Sequence, residues 1–260
     1  MEKMKLEFRG RIAILKFNHP EVMNAVGNEM LRDFADAMVE IKNPANEARC
    51  LLITGEGRGF CSGANLSDDG RNDPNRSSGD TLRNDYHPLL LDLRDLDMAI
   101  VTAVNGAAAG VGMSFGLIGD IVCASRRAFF LQAFARIGLV PDGGATFMLP
   151  RLIGWGRAME LSLLAERLPA EKAYDWGIVN RLYDDNDKLM EGALKIAGQL
   201  ANGPRSLGLI RKAYWNTWHN TFEQQLELEA QLQDEAGRSL DFREGVTAFL
   251  EKREARFKGE

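Results

Sequence analysis

Three short stretches of the chain carry residues whose types and spacing could do chemistry. The first is Gly106-Ala-Ala-Ala-Gly110-Val111-Gly112, a glycine run of the kind that cradles a dinucleotide phosphate. Such a turn should follow the first strand of its fold and open a helix. Here it comes after several other strands. The second is Gly112-Met-Ser114-Phe-Gly116, the spacing of a nucleophile elbow. An elbow needs a strand ending at the serine, and the preceding strand ends near Val104. A hydrolase also wants an acid and then a histidine downstream, and only His219 follows. That spacing therefore reads as a small residue in a close-packed helix. The third is Pro141-Asp142-Gly143-Gly144. Asp142 could cap the following helix, where Asp is favoured, or act as a general base on a flexible turn facing a pocket. Local sequence alone favours the cap.

The remaining polar residues offer less. His19 and His87 each precede a proline and read as turn residues. Asp120 opens a strand and reads as a structural hydrogen-bonding group. Cys61 could be a reactive thiol, but no base is adjacent in sequence. Cys50, Cys61 and Cys123 are far apart and form no CxxC pair, so they read as reduced thiols rather than a disulfide framework or a metal site. No metal is expected.

Composition excludes other classes. Lys and Arg number 32 against 37 Asp and Glu, a net charge of −5 with no basic block. Nucleic acid and anionic lipid are therefore not expected partners. No stretch approaches the roughly 18 unbroken apolar residues of a membrane span. Residues Met1 to Gly10 are charged and lack an apolar signal core, so a cytoplasmic location is expected. The 26 glycines, against a usual share of about 7 %, need an explanation.

The elements that must position these residues follow from periodicity. Alternation predicts a hairpin over residues 1–17, turning at Gly10-Arg11. Met30, Phe34, Met38 and Ile41 predict an amphipathic helix. Buried strands are expected at Cys50–Ile53, Ala99–Val104 and Ile121–Ala124, with Ala128–Leu131 pairing beside the last. Residues 55–80 read as a long loop, and about 81–96 as a helix. After Gly144, helices are expected over about 143–153, 155–165, 170–176, 187–201, 205–219, 222–238 and 242–256, with one strand at Ile178–Leu182. Leu207, Ile210, Tyr214 and Trp218 form one apolar face. An α/β core over 1–185 and a helical region over 186–260 are expected.

Two segments taken together carry a resemblance. One is Gly57-Arg-Gly-Phe60-Cys-Ser-Gly63-Ala64-Asn65-Leu66. The other runs from Ala103-Val-Asn105-Gly106 through Gly112 and Gly119-Asp120-Ile121 to Gly138-Leu-Val-Pro141-Asp142-Gly143-Gly144. With Pro20-Glu-Val-Met-Asn24-Ala25 early and Glu244-Gly245 to Arg253 late, the ordered set resembles the crotonase superfamily, the enoyl-CoA hydratases and isomerases. The resemblance implies a crotonase-like α/β spiral of ββα units and a C-terminal helical region that trimerises, with trimers pairing to hexamers. It implies an acyl-CoA thioester substrate and no separate cofactor, coenzyme A being part of the substrate.

Members pass through an enolate, whose oxyanion needs preorganised donors. Carried over, these are the backbone N–H groups of Ala64 and Val111. Many relatives have Gly at the Val111 position, so a slightly altered pocket is implied. A helix beginning near Val111 would add its positive end. Hydratases of the family carry two glutamates, and their positions hold Ser114 and Phe134 here. Neither side chain can do acid–base work, so syn hydration is poorly supported. Asp142 matches the position that carries the base in the family's dienoyl and ring-epoxide isomerases, and this reverses the order of its two readings. One carboxylate can remove a proton at one carbon and return it at another, with Phe134 excluding water.

The resemblance is greatest to the ring-epoxide isomerases of phenylacetate degradation, through Gly57 to Cys61, the loop from Asp68 to Asp80, and the ending Phe242 to Leu250. Coenzyme A is expected along Val22, Asn65 and Leu66, with Lys252 or Arg253 at a phosphate. The alternatives are an enoyl-CoA hydratase and a non-catalytic acyl-CoA binder or RNA-binding relative.

Overall fold

The computed structural model describes residues 1–67 and 77–260. Residues 68–76 of the expected long loop therefore lie outside the described residues. The strands are β1 (Met4–Arg9), β2 (Ile12–Phe17), β3 (Cys50–Gly55), β4 (Gly59–Cys61), β5 (Ala99–Val104), β6 (Ala107–Ala109), β7 (Ile121–Ser125), β8 (Phe129–Leu131), β9 (Leu168–Pro169) and β10 (Arg181–Tyr183). The helices are α1 (Asn28–Lys42), α2 (Ser78–Thr81), α3 (His87–Asp95), α4 (Val111–Leu117), α5 (Ala145–Ile153), α6 (Trp155–Leu164), α7 (Ala170–Asp175), α8 (Asn186–Ala201), α9 (Ser206–Thr217), α10 (Phe222–Gly237) and α11 (Leu240–Glu251).

Two sheets share these strands. The larger runs β1-β2-β3-β5-β7-β10 and is parallel except for the β1–β2 hairpin. The smaller runs β4-β6-β8-β9, with β4, β6 and β8 parallel. Each of the pairs β3/β4, β5/β6 and β7/β8 thus gives one long strand to the first sheet and one short strand to the second. The chain climbs as a spiral, and the expected α/β class holds.

Both faces of the larger sheet are covered, as a parallel sheet requires. Ile14, Leu52, Val101 and Cys123 face Leu189, Ala193 and Ala197 of α8. The first helix of the expected C-terminal region therefore packs as part of the core. The opposite face shares the main core with α1, α3, α4 and the smaller sheet. Phe17, Phe34, Phe60 and Phe115 meet there with ring centroids 5.4–6.0 Å apart. They tie β2, α1, β4 and α4 into one unit.

Several expectations need correction. β8 does not pair beside β7; it joins β6 in the second sheet. β4 and β6 carry no strand signal in the sequence, because Gly-Phe-Cys and Ala-Ala-Ala have neither alternation nor β-branched residues. The strand expected at 178–182 forms later, at Arg181–Tyr183. His87 does not turn the chain: α2 continues through a π-helical stretch at Leu82–Tyr86 directly into α3. The wider turn accommodates Pro88, which lacks an N–H and would clash with the carbonyl four residues back in a regular helix. The last helix ends at Glu251, where Lys252 takes a left-handed conformation (φ +55°).

On α9 the buried face is Gly208, Leu209 and Arg211. Ile210 and Tyr214 of the predicted stripe are exposed. Arg211 decides the orientation. It donates to both oxygens of Asp120 at 2.8–2.9 Å and to the carbonyls of Leu93, Arg94 and Leu96, capping the end of α3. Asp120 also accepts from Ile100 N–H at 2.8 Å, so its structural role holds. Burial raises its pKa against the opposing pull of Arg211.

Candidate active site

Three segments converge because the strands that deliver them are neighbours. β4, β6 and β8 run parallel and side by side. The chain leaves their C-terminal ends at Gly63-Ala64, Gly110-Val111 and Gln132 to Phe134. Residues far apart in sequence are thereby set next to one another.

Glycines allow the approach to be close. A Cβ on Gly106 would lie 2.1 Å from the Arg58 carbonyl oxygen, and one on Gly112 would lie 2.1 Å from that of Cys61. Gly63 (φ +100°) faces Gly110 (φ +53°). A Cβ on Gly63 would come 2.9 Å from the Ala109 oxygen and 3.7 Å from Gly110 Cα. Only glycine suits these positions.

This contact sets the Ala64 and Val111 N–H groups on adjoining segments. Ala64 forms a parallel bridge with Val26. Val26 donates to Gly63 O at 2.7 Å, and Asn65 donates to Val26 O at 2.9 Å. Successive N–H groups of an extended chain point to opposite sides, so that of Ala64 points away from Val26. Val111 is the first residue of α4, and its N–H has no intrahelical partner. Among the described residues, neither N–H is taken up by another protein group.

Asp142 arrives from the third segment on a turn packed onto α4. Gly143 (φ +62°) is the contact: a Cβ there would lie 2.7 Å from Ser114 Cβ and 3.1 Å from Val111 Cγ2. The Ser114 hydroxyl donates to the Asp142 main-chain carbonyl at 3.1 Å. Asp142 is half-buried, and its Oδ1 is closed off from solvent. The N-cap of α5 is Gly144, with no side-chain cap, so the capping reading of Asp142 fails. Ser114 is wholly buried inside α4, as the small-residue reading of its motif expects.

Phe134 is 6 % exposed. Its Cζ stands 3.8 Å from where a Cβ on Gly110 would lie, so an aromatic ring lies against the glycine. Val22 and Leu66 are exposed on adjoining segments, joined where Ser62 Oγ donates to the Val22 carbonyl at 3.2 Å. The Asn65 side chain accepts from Ser67 N–H at 3.1 Å. Lys252 is not brought to this group. The tail after it docks on Asp241 and against Arg11 and Arg49, at the starts of β2 and β3. The glycine segments follow the other ends of the strands. Arg253 is held by Glu244 at 2.6 Å and by Glu251.

Two buried asparagines, Asn24 and Asn105, support the site. Asn24 (φ +58°) donates to the carbonyls of Glu56, Gly59 and Phe60 at 2.8–3.2 Å. Asn105 donates to those of Gly55, Gly57 and Gly59 at 2.9–3.3 Å and accepts from Gly55 N–H. Together they hold the loop that leads to Ala64. A carboxamide beside a glycine-rich loop was the available signal, since a loop without a ladder must find its partners in side chains.

Two unused N–H groups, a shielded carboxylate and an apolar ring can stabilise an oxyanion and move a proton away from water. Cys61 adds no nucleophile: burial pushes its thiol up to about 12. No helix among the described residues is long and apolar enough to cross a membrane.

Comparison with known proteins gives the family. The family model described as Enoyl-CoA hydratase/isomerase matches residues 7–260. A 1,2-epoxyphenylacetyl-CoA isomerase of Escherichia coli is 43% identical over 95% of both chains. A Rhodobacter capsulatus protein named "Probable enoyl-CoA hydratase" is 40% identical over 98% of both chains. The crystal structure of an enoyl-CoA hydratase from Polaromonas sp. JS666 superposes with a TM-score of 0.90 at 32% identity, covering 98% of this chain and 99% of that one.

Proposed function

From the premise that the chain belongs to the enoyl-CoA hydratase/isomerase family and has the crotonase fold, we propose that it is an acyl-CoA isomerase using Asp142. The observation that carries this reading is the distribution of acids. The Asp142 turn packs on the segment that offers the Val111 N–H, while Ser114 and Phe134 bring no carboxyl group to the site.

The reaction follows from that arrangement. The thioester oxygen accepts from Ala64 and Val111 N–H. As Asp142 removes a proton from the α-carbon, the C–H electron pair moves into the acyl group, and the negative charge settles on the oxygen between these donors. Asp142, now protonated, returns the proton to a conjugated carbon farther along, and the thioester carbonyl re-forms. No water is consumed. Phe134 lines the pocket and limits exchange of the carried proton with solvent.

The substrate proposed is 1,2-epoxyphenylacetyl-CoA of phenylacetate degradation, in the cytoplasm: the C–C bond shared by its oxirane and six-membered ring opens electrocyclically to the seven-membered oxepin, and the same proton shift, from the α-carbon to a ring carbon, gives oxepin-CoA. The 43% relative of that name supports it. Coenzyme A would lie along Val22, Asn65 and Leu66. Lys252 would reach a phosphate only across a subunit boundary. A homotrimer, or a hexamer of paired trimers, is proposed from the exposed Tyr214, Phe222, Phe249 and Leu250 of α9 to α11. The region 186–260 would supply that contact, with α8 remaining on the core. Light scattering should give three or six times the 28.9 kDa chain mass.

The test is a panel of crotonyl-, 3-enoyl-, 2,5-dienoyl- and ring-epoxide acyl-CoA thioesters, read by mass and ultraviolet absorbance. Isomerisation leaves the mass unchanged, and hydration adds a water. Asp142→Asn should abolish isomerisation while acyl-CoA binding stays near normal. Unimpaired turnover by that variant, or rapid hydration of crotonyl-CoA by the native protein, would sink the proposal.

A further inference from the structure

We infer that Ser114 is a positioning residue that fixes the Asp142 carboxylate for proton transfer by holding its turn onto α4. The inference rests on the reading of Asp142 as the base. The turn itself cannot supply the rigidity. Gly143 and Gly144 both adopt left-handed conformations, at φ +62° and +80°, and glycine holds such conformations with little intrinsic preference over others. An acid whose backbone runs directly into a diglycine hinge needs an external anchor to keep one orientation.

The structure provides one such anchor. The Asp142 carbonyl oxygen accepts from two sides, from Ala145 N–H at 3.1 Å and from the Ser114 hydroxyl at 3.1 Å. The first bond is local and moves with the turn. The second comes from α4, and Ser114 is wholly buried there. Gly143 rests on Ser114 Cβ and Val111 Cγ2. Ser114 lies one helical turn beyond Val111, on the same face. The hydroxyl thus references the base to the helix that carries an oxyanion donor, so that acid and donor move as one body. The serine takes no part in bond making. Its substitution should act on the rate of proton transfer, because a displacement of about 1 Å in a reacting group can cost about a hundredfold.

The experiment compares Ser114→Ala, Ser114→Thr and Asp142→Asn with the native protein on trans-3-hexenoyl-CoA, followed by absorbance of the conjugated product. Ser114→Ala is expected to lower kcat about tenfold or more with KM within about twofold. Ser114→Thr, which keeps the hydroxyl, should recover most of the rate. Far-ultraviolet circular dichroism and an assay well below the unfolding midpoint separate this from lost stability, which would leave kcat of the folded fraction unchanged. An inactive Asp142→Asn together with native kcat in Ser114→Ala overturns the positioning role alone. An active Asp142→Asn overturns both this inference and the reading it rests on.

Discussion

Asn24 and Asn105 donate to the same carbonyl oxygen, that of Gly59, at 2.8 and 3.3 Å. One side chain comes from the turn after the first hairpin and the other from the end of β5. Between them they fix the start of β4, and so the path to Ala64. Because they share an acceptor, their contributions should not add. Asn24→Ala and Asn105→Ala should each cost about 1–3 kcal/mol through carbonyls left buried without a donor. The double variant should differ from the sum by about 0.5 kcal/mol or more. Urea unfolding of the four proteins measures this, and strict additivity would contradict a shared role.

Two glycines of α4 should respond in opposite ways. A Cβ on Gly112 meets the Cys61 carbonyl oxygen at 2.1 Å, which only a shift of β4 can relieve. Gly112→Ala should therefore destabilise by about 1–3 kcal/mol and lower kcat/KM, since the shift separates Ala64 from Val111. A Cβ on Gly116 meets Val104, Phe60 and Phe130 at ordinary distances of 3.6–3.8 Å. Gly116→Ala should be neutral or stabilise by up to about 1 kcal/mol, the helix preference of Ala over Gly. Thermal unfolding and initial rates of the pair decide it.

Arg211 should be the most sensitive residue of the C-terminal helices. It is 6 % exposed and satisfies Asp120 together with the end of α3. Arg211→Met leaves the part-exposed Asp120 carboxylate without its partner and the buried carbonyls of Leu93 and Leu96 without this donor. A loss of about 2–6 kcal/mol is expected, about 1–3 for each buried carbonyl left without a donor, read as a lower urea midpoint. A shift below about 1 kcal/mol would show that solvent reaches Asp120 and replaces the guanidinium.

The cysteines should be silent until the protein unfolds. Burial pushes Cys50 and Cys61 up to about 12 and Cys123 up to about 11. A thiol-specific disulfide reagent at pH 8 should titrate no fast-reacting cysteine in the native state and all three in urea. The same shifts set a direction for alkaline stability. Each thiol ionises at lower pH in the unfolded chain than in the folded one. Its stabilising contribution is complete below the unfolded value near 8.5 and is lost as pH rises toward the folded value. Unfolding should therefore become easier above about pH 9, and Cys61→Ala should weaken that dependence.

The sequence by itself determined the elements whose hydrophobic period is long and unbroken. α1 shows its buried Met30, Phe34, Met38 and Ile41 at helical spacing. β3 and β5 are apolar on both faces because the parallel sheet buries both. The ordered glycines and Asp142 were legible as a set, since a backbone site leaves its mark in the residues that permit close approach. The tertiary structure decided the rest. β4 and β6 are three residues each and rich in Gly and Ala, and they become strands only because each lies beside a parallel neighbour. The orientation of α9 turned on the ion pair between buried Arg211 and part-exposed Asp120, which periodicity cannot register. Whether Asp142 caps a helix or faces a site was likewise not a local matter. A capping residue and a base can share one sequence; here Gly144 takes the cap position, and Gly143 lies on Ser114 and Val111, a contact between segments about thirty residues apart.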